Sequence, residues 1–296
     1  MALSCATVRA YELEGQLDMK LIRHNYGKAR VRIMKVTRQG PKHSLKELEV
    51  AVSLQGNFEA SYAKSDNRLV VATDSMKNTI NVFAKQKLAG ENEEFGLALS
   101  QHFLKTYPQV DRAEIAISEK PWTRMAINGK PHPHAFQLNG ATRLVSKIVC
   151  TREELTVESG VEGLTILKTT GSGFEDFVRD RFTTLPETDD RILATQLRAI
   201  WTYEKKPKSY SVTNDKILEA MLRVFARNYS HSAQATLFQM GEAALKTAPE
   251  ISKITIEMPN KHCLLINLTP FGLENKNELF VPTDEPHGQI EGTVGR

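Results

Sequence analysis

The chain has 296 residues, of which 41% are hydrophobic and 25% charged, and its formal net charge is +4. This length corresponds to one large domain or to two of about 150 residues. The mean hydropathy is -0.36 and no apolar run approaches about 18 residues, which predicts a soluble protein without a membrane span. The mild, scattered positive charge does not predict nucleic-acid binding, which needs a broad basic face, but it is compatible with an anionic small substrate.

The cysteines and the two chain ends indicate a reducing compartment. Cys5, Cys150 and Cys263 cannot form a full disulfide set, and their spacing does not indicate a zinc site. Residues 1–20 mix charged with apolar residues and lack the continuous core of a signal peptide, so we expect a frayed N-terminal extension. The final residues, 293–296, are not a peroxisomal tripeptide. A cytoplasmic, bacterial-type protein is expected.

The first half of the chain changes twice between strand and helix periodicity. Residues 29–38 are rich in Val, Ile and Arg, and residues 48–54 alternate apolar with polar, which predicts two antiparallel strands. Thr73-Asp74-Ser75 then follows an apolar strand end and precedes helical spacing to about Gln86. A second helix carries Phe95, Leu99 and Phe103, and strands are predicted near residues 113–117 and 122–127.

The second half repeats the order strand, strand, helix, helix, strand, strand. Its predicted strands cover residues 143–150, 155–161, 192–203, 254–258 and 263–268, and its predicted helices open at Thr213-Asn214-Asp215 and near Ser232. The repeated order predicts a duplicated unit, with residues 21–140 as the first copy and residues 141–296 as the second. An insertion over residues 169–190, with a short helical patch, interrupts the second copy, and such insertions are often functional.

The predicted fold class is α+β, with antiparallel sheets that carry helix pairs on one face. Each such sheet leaves edge strands unpaired, and unpaired edges invite assembly. Closing the sheets of several subunits into a barrel removes those edges, so the topology alone predicts a homo-oligomer.

Three motifs have structural interpretations that we favour. His132 and His134 have the two-residue spacing of some metal sites, but no Cys or carboxylate cluster accompanies them, which favours a rigid polar loop. Gly171-Ser172-Gly173 lacks the Gly-Lys-Ser/Thr ending of a P-loop and does not open a dinucleotide helix, so it is predicted to be a flexible joint. Cys263 points to the opposite strand face from its neighbour His262 and is predicted to lie in the core.

Five short polar motifs at element ends carry the functional signal. They are Asn25-Tyr26-Gly27-Lys28, Thr73-Asp74-Ser75, Phe174 with Arg191, Gln234-Ala235-Thr236 and Pro259-Asn260-Lys261-His262. Each alone is explained by helix capping, an ion pair, packing or a turn. Jointly, in this order and spacing, they resemble the urate oxidase (uricase) family, from about Tyr26 to Arg296.

The resemblance implies a tunnelling fold made of two tandem ββααββ units. It implies a homotetramer whose sheets form a barrel, with active sites at the subunit interfaces, and the oxidation of urate by O2 and water to 5-hydroxyisourate and hydrogen peroxide. No cofactor or metal, nucleic acid or membrane is implied. The implied catalytic residues are Lys28, Thr73 and His262, and the implied substrate-binding residues are Thr73, Asp74, Phe174, Leu185, Arg191, Ala233, Gln234 and Asn260.

The side-chain types suit this chemistry. Urate is a flat anion, so the guanidinium of Arg191 and the amide of Gln234 can grip its edges while Phe174 covers the ring. Leu185 and Ala233 would line the pocket.

The remaining implied roles belong to Asn260 and to the three catalytic residues. Asn260 would face oxygen or water. Lys28 would act as the base through Thr73, which requires that its pKa fall from a reference near 10.4, and His262 would orient or relay.

Two departures and two other hypotheses accompany the resemblance. Ala233 is smaller than the valine common at this pocket position, and Asp189 stands where many relatives carry an aromatic residue.

The other hypotheses are a tunnelling-fold enzyme that acts on a pterin or a guanine nucleotide, and a purine-binding assembly protein without turnover. Lack of a zinc-ligand set argues against the metal-dependent members of the fold. Peroxide release on adding urate distinguishes all three hypotheses.

Overall fold

The computed structural model describes residues 19–88, 90–138 and 140–296. The predicted extension, residues 1–20, therefore lies outside the described residues except for its last two positions, and Cys5 lies outside them as well. Across these three ranges, no helix is long and apolar enough to cross a membrane.

The first half contains the predicted strand pair and helix pair. Its elements are β1 (Tyr26–Gln39), β2 (Lys42–Gly56), α1 (Glu59–Ala63), α2 (Thr73–Lys87), α3 (Asn92–Thr106), β3 (Val110–Lys120), β4 (Trp122–Ile127) and β5 (Lys130–Leu138). The prediction for residues 122–127 is right in type and wrong in place, because β4 pairs with β5 in a separate two-stranded sheet. Pro121 separates β4 from β3, and proline cannot donate to a strand ladder. His132 and His134 lie in β5 and not in a loop.

The second half differs from its prediction at the start of one helix, at the strand predicted over residues 263–268, which covers Asn260–Leu265, and in two strands near the C-terminus that were not predicted. Its elements are β6 (Arg143–Thr151), β7 (Leu155–Lys168), β8 (Leu193–Tyr203), α4 (Tyr210–Arg227), α5 (Ala233–Thr247), β9 (Ile251–Glu257), β10 (Asn260–Leu265), a 3-10 turn (Thr269–Phe271), β11 (Phe280–Gly288) and β12 (Glu291–Gly295). α4 begins three residues before Thr213, because Ser209 caps it by accepting a bond from the amide of Val212 at 3.3 Å. The predicted start of α5 is confirmed, with Ser232 as its cap.

One antiparallel sheet of ten strands runs through both halves. Its order is β1-β2-β3-β6-β7-β8-β10-β11, with β9 also paired to β8 and β12 paired to β9. The halves meet where β3 pairs with β6, from Arg112 opposite Thr151 to Glu119 opposite Leu144. Two strands pair with the edge of β8 that faces away from β7. β9 pairs with the second part of β8, and β10 pairs with Ala194 and Thr195 near its start.

The helices cover one face of the sheet and bury two apolar clusters. Every second side chain of β2 faces α2 and α3. These side chains include Val50, Val52 and Leu54, each of which is at most 2% exposed. The second cluster packs Trp201 of β8 against α4 and α5. Two buried clusters agree with two units, whereas their boundary at residues 140 and 141 stays a prediction.

A buried carboxylate also joins the two halves. Glu93 of α3 is 4% exposed, and its Oε1 accepts hydrogen bonds from Ser146 at 2.9 Å, from Ser159 at 2.5 Å and from the amide of Asn214 at 3.1 Å. These partners lie on β6, β7 and α4, so the bonds fix the first helix pair relative to the second half.

Candidate active site

The insertion between β7 and β8, residues 169–192, is here called the clamp loop. This fully described segment contains no helix, so the predicted helical patch is wrong. Its two arms face each other as a short irregular ladder instead. The amide of Phe174 donates to the carbonyl of Thr188 at 2.7 Å, and the amide of Thr188 donates to the carbonyl of Phe174 at 3.2 Å. The amide of Arg191 donates to the carbonyl of Ser172 at 2.8 Å. Phe174 and Arg191 therefore lie on opposite arms and near one another.

The clamp loop is also tied to the connection between α4 and α5. The amide of Gly173 donates to the carbonyl of Ser230, and the amide of Ser230 donates to the carbonyl of Gly171, both at 2.9 Å. Asp190 Oδ1 accepts from Thr170 Oγ1 at 2.8 Å and from the amide of Gly171 at 3.2 Å. The predicted flexible joint at residues 171–173 is thus a hydrogen-bonded segment, in which Gly171 supplies a φ of 70°.

Arg191 and Phe174 form the polar and aromatic elements of this region. The guanidinium Cζ of Arg191 lies 5.2 Å from the centre of the Phe174 ring. Burial lowers the pKa of Arg191, and the nearby Tyr229 opposes that shift in part. Its buried Nε finds no hydrogen-bond acceptor among the described residues. A half-buried cation whose buried Nε donor is unused is a favourable partner for an anion that brings its own acceptors.

A second aromatic ring backs Phe174. The ring of Phe177 lies parallel to that of Phe174, with 4.8 Å between centroids and 9° between planes. The guanidinium of Arg179 covers the ring of Phe177 at 4.9 Å, and Arg179 pairs with Glu187 at 3.4 Å. The orientation of Phe174 is therefore fixed by packing as well as by its backbone bonds.

A pocket of about 170 Å³ opens between the clamp loop and β10. It brings together five of the residues that the resemblance implies: Phe174, Leu185, Arg191, Asn260 and His262. Five other lining residues were not predicted from the sequence: Pro186, Thr188, Ile192, Cys263 and Leu264. The loop residues among them belong to no periodic element, so their pattern carried no signal.

Cys263 contradicts its prediction. It is partly exposed and lines the pocket, whereas the sequence analysis placed it in the core. The reason is the path of β10, which pairs with β8 only at Asn260 and Lys261. Beyond those residues the strand pairs with β11 and with no other described strand, and Leu264 is 56% exposed. An apolar run does not by itself tell whether both faces of a strand are covered.

His262 and Asn260 lie at an irregular point of β10. The pairing of β10 with β11 shifts register between these two residues, which changes their direction relative to a regular strand. The carbonyl of His262 accepts a bond from Thr283 Oγ1 at 3.1 Å. Both side chains reach the pocket from the same short stretch.

Ala233 and Gln234 are not among the residues that line this pocket. They are the first two residues of α5; Ala233 is 4% exposed, and Gln234 is exposed. Ser230 lies three residues before Ala233 in the chain, and its backbone is hydrogen-bonded to the backbone of the clamp loop. The start of α5 is therefore held near the clamp loop. The structure therefore does not bring these two implied binding residues into the pocket, although they follow a segment that is bonded to the clamp loop.

Lys28, Thr73 and Asp74 form a separate region in the first half. The amide of Val71 donates to Tyr26 Oη at 2.8 Å, which ties the start of α2 to the start of β1. Lys28 and Asp74 are near enough that Lys28 contributes to the lowered pKa of Asp74, although the bond from Lys77 contributes most. Of the residues that the structure describes, these three are not among those lining the pocket.

The capping interpretation of Thr73 is wrong. α2 begins at Thr73 itself, and its cap is Ala72, which offers no side-chain acceptor. Asp74 is engaged by Lys77 and by Asn78 Nδ2, the latter at 2.9 Å. The threonine hydroxyl is therefore not committed to capping the helix.

The histidines singled out in the sequence have a third neighbour. His43 of β2 lies 5.8 Å from His134, and His134 lies 4.6 Å from His132, measured between ring centroids. His132 Nδ1 accepts the amide of Ala135 at 2.9 Å, which leaves the ring proton on Nε2 and disfavours metal ligation there. Within the described ranges, no group of three or more His, Cys, Asp or Glu side chains could hold a metal ion.

Comparisons with known proteins agree with the sequence motifs. The family model described as Uricase matches residues 24–149 and 157–291. The chain is 40% identical to a uricase of Arthrobacter globiformis over 273 residues, which covers 92% of this chain and 89% of that protein. It is 40% identical to a uricase of Arabidopsis thaliana over 310 residues, covering 97% and 98% of the two chains.

Solved structures give the same result. The fold matches the crystal structure of the uricase from Arthrobacter globiformis with a TM-score of 0.90 and 40% identity, over 94% of this chain and 96% of that one. It matches a hyperthermostable mutant of the urate oxidase from Bacillus sp. TB-90 with a TM-score of 0.80 and 25% identity, over 93% and 100%. These matches confirm the tunnelling fold that the sequence predicted. The chain therefore belongs to the uricase family.

Proposed function

We propose that this protein oxidises urate with O2 and water to 5-hydroxyisourate and hydrogen peroxide. The observation that carries the proposal is the convergence of Phe174, Arg191, Asn260 and His262 on one pocket in a chain of the uricase family. Urate, O2 and water together contain the atoms of the two products, and two electrons pass from urate to O2. Since the urate anion itself is the electron donor, we propose that no cofactor takes part.

Arg191 and Phe174 would supply most of the binding. The planar guanidinium can donate two parallel bonds to the urate anion, and the ring of Phe174 offers a rigid apolar face for the purine. Gln234 would add an amide contact from the start of α5, while Leu185 and Ala233 shape the walls. The small side chain of Ala233 leaves more room than a valine would. These roles extend the geometry of one pocket to a bound ligand.

Proton transfer would depend on the other region of the chain. In this proposal Lys28 removes a proton from urate through the hydroxyl of Thr73, Asp74 borders that hydroxyl, and His262 orients or relays the proton. Asn260 faces O2 or water. The hydroxyl of Thr73 suits this role because the helix cap does not use it.

The two regions would meet between subunits. Lys28, Thr73 and Asp74 lie in the first half and outside the pocket, so we propose that one subunit presents them to the clamp loop of its neighbour in a homotetramer. Leu264 lines the pocket and is 56% exposed, while Leu265 beside it is 48% exposed, and a partner would cover such apolar groups. Barrel closure would also cover the edge strands β1 and β11. We also propose that the chain divides into two units between residues 140 and 141. We further propose that the protein is cytoplasmic.

The deciding experiment is to mix the purified, chelator-treated protein with urate and follow urate absorbance, O2 uptake and peroxide together. We expect all three to change in a ratio of one to one to one. A pterin and a guanine nucleotide serve as control substrates and should remain unchanged. Loss of urate turnover on chelation with recovery on adding zinc or copper would contradict the proposal, as would turnover of either control in place of urate.

A further inference from the structure

Tyr229 lies in the connection between α4 and α5 and has no part in the chemistry proposed above. Its Oη donates a hydrogen bond to the carbonyl of Asp189 at 2.6 Å. Asp189 precedes Arg191 by two residues on the returning arm of the clamp loop. The ring of Tyr229 is held by an edge contact with His231, at 4.8 Å between centroids. The phenol therefore holds the backbone that carries the guanidinium.

The same oxygen also contacts the other arm. Gly173 has no Cβ, and a Cβ built there would collide with Tyr229 Oη and would lie 2.9 Å from the carbonyl oxygen of Thr188. Gly173 directly precedes Phe174 and is buried. The Tyr229 hydroxyl is thus packed between the arm that carries the aromatic ring and the arm that carries Arg191.

We infer that Tyr229 is a positioning residue for the substrate clamp, whose hydroxyl sets the separation between the two arms. This inference rests on the proposed function, since the clamp is defined by the substrate it holds. The two backbone bonds between Phe174 and Thr188 and the bond from Arg191 to Ser172 fix the arms at two points. Tyr229 occupies the space between those points, where the arms would otherwise approach or separate.

A chemical property of the phenol supports this role. Burial, together with the nearby carboxylates of Glu175, Asp189 and Asp190, raises the pKa of Tyr229 above its usual value, while Arg191 opposes the shift. The hydroxyl therefore keeps its proton and remains a donor throughout the neutral and mildly alkaline range.

Tyr229→Phe tests the hydrogen bond without removing the ring. The variant should raise KM for urate roughly two- to tenfold, the loss expected for one hydrogen bond, while kcat changes by less than about twofold. A residue that only supports the fold would lower the melting temperature and the active fraction, leaving KM unchanged. Tyr210→Phe is the matched control, since Tyr210 begins the helix that Tyr229 follows and lies about 27 Å away along its axis.

Gly173→Ala tests the packing of the hydroxyl against the second arm. In the wild-type chain the new methyl group meets Tyr229 Oη and should raise KM for urate. In the Tyr229→Phe chain that oxygen is gone, so the same substitution should raise KM by a smaller factor, with the contact to Thr188 remaining in both.

Two results would overturn the inference. One is an unchanged KM in Tyr229→Phe, and the other is an equal effect of Gly173→Ala in both backgrounds. Failure of the proposed function is distinct, because then the wild-type protein itself would not turn over urate.

Discussion

The two regions that bear the candidate site residues differ in how completely one chain builds them. The clamp loop is ordered by backbone bonds between its arms, by its ties to Ser230 and by a parallel aromatic pair. Lys28 and Thr73 are only partly buried, and the side chain of Asp74 is 67% exposed. A single chain thus preorganises the groups that would recognise the substrate and leaves at its surface the groups that would move the proton.

This difference indicates a division of labour between binding and proton transfer. A binding group that acts equally on substrate and transition state contributes to KM, whereas a base that acts at the barrier contributes to kcat. The clamp region should therefore respond to mutation mainly in KM, and the region around Lys28 mainly in kcat. The next three predictions test that contrast and a fourth tests the exposed carboxylate beside Lys28, from the largest expected effect to the smallest.

Lys28→Met should lower kcat by about 10²- to 10⁴-fold with little change in KM, since it removes the base and keeps the length of the side chain. Steady-state kinetics with urate measures both constants. Lys42→Met, at the exposed start of β2, is the control and should behave as the wild type. Near-normal turnover of Lys28→Met at every pH would mean that the base lies elsewhere.

Arg191→Gln should raise KM for urate by about 30-fold or more. A charge-assisted, two-point contact is lost and the anion remains poorly paired, a cost of about 2 to 5 kcal/mol. Arg179→Gln removes the same charge from the same loop at an exposed position that pairs with Glu187, and it should change KM far less. If both variants had the KM of the wild type, Arg191 would not be the urate clamp.

Phe177→Ala should raise KM for urate by about two- to tenfold, because the parallel ring that fixes Phe174 contributes about 0.5 to 1.5 kcal/mol. The change in kcat should be smaller. Phe182→Ala serves as the control on the same loop, since Phe182 is 72% exposed. Equal KM values for the two variants would show that the stacked ring does not position Phe174.

Asp74→Asn should have the smallest effect, a slight loss of folding stability that is present at neutral pH and disappears in acid. The bond from Lys77 and, more weakly, the charge of Lys28 hold the pKa of Asp74 below its ordinary value of 3.8. A carboxylate with a lowered pKa stabilises the fold above its unfolded pKa, and this stability is lost as pH falls through the folded pKa. Denaturant unfolding should show the wild type slightly more stable at about pH 7 and equal to the variant near pH 2. A difference that persists at low pH would contradict this assignment.

The main strands and the two helix pairs could be predicted from local periodicity, and half of the residues that line the pocket could be predicted from the resemblance to a known family. The alternation of apolar and polar residues over 48–54 predicted β2. The order and spacing of the motifs around Phe174, Arg191 and Asn260 resembled those of a known family, and these three residues line one pocket. The start of α4 was misplaced because the Ser209 cap lies in a lysine-rich loop stretch without apolar periodicity.

The features that could not be predicted depend on contacts between distant segments. Cys263 was assigned to the core because an apolar strand does not reveal that its neighbouring strand ends. The clamp loop was given a helical patch because its tertiary anchors, such as the bonds between Gly173 and Ser230, are separated by many residues. Tyr229 gave no signal for the same reason.

The measurement that tests the shared site most directly mixes two variants, one impaired in proton transfer and the other in substrate binding. Lys28→Met and Arg191→Gln chains, combined under verified subunit exchange, form mixed dimers in which one site carries both substitutions and the other carries neither. With random pairing, half the dimers are mixed and half of their sites are intact, so about a quarter of wild-type activity should return. Each variant alone must show little activity under the same assay, which uses urate well below the KM of Arg191→Gln. Recovery near a quarter is the result we predict, and no recovery after verified exchange would place Lys28 and Arg191 in the site of a single chain.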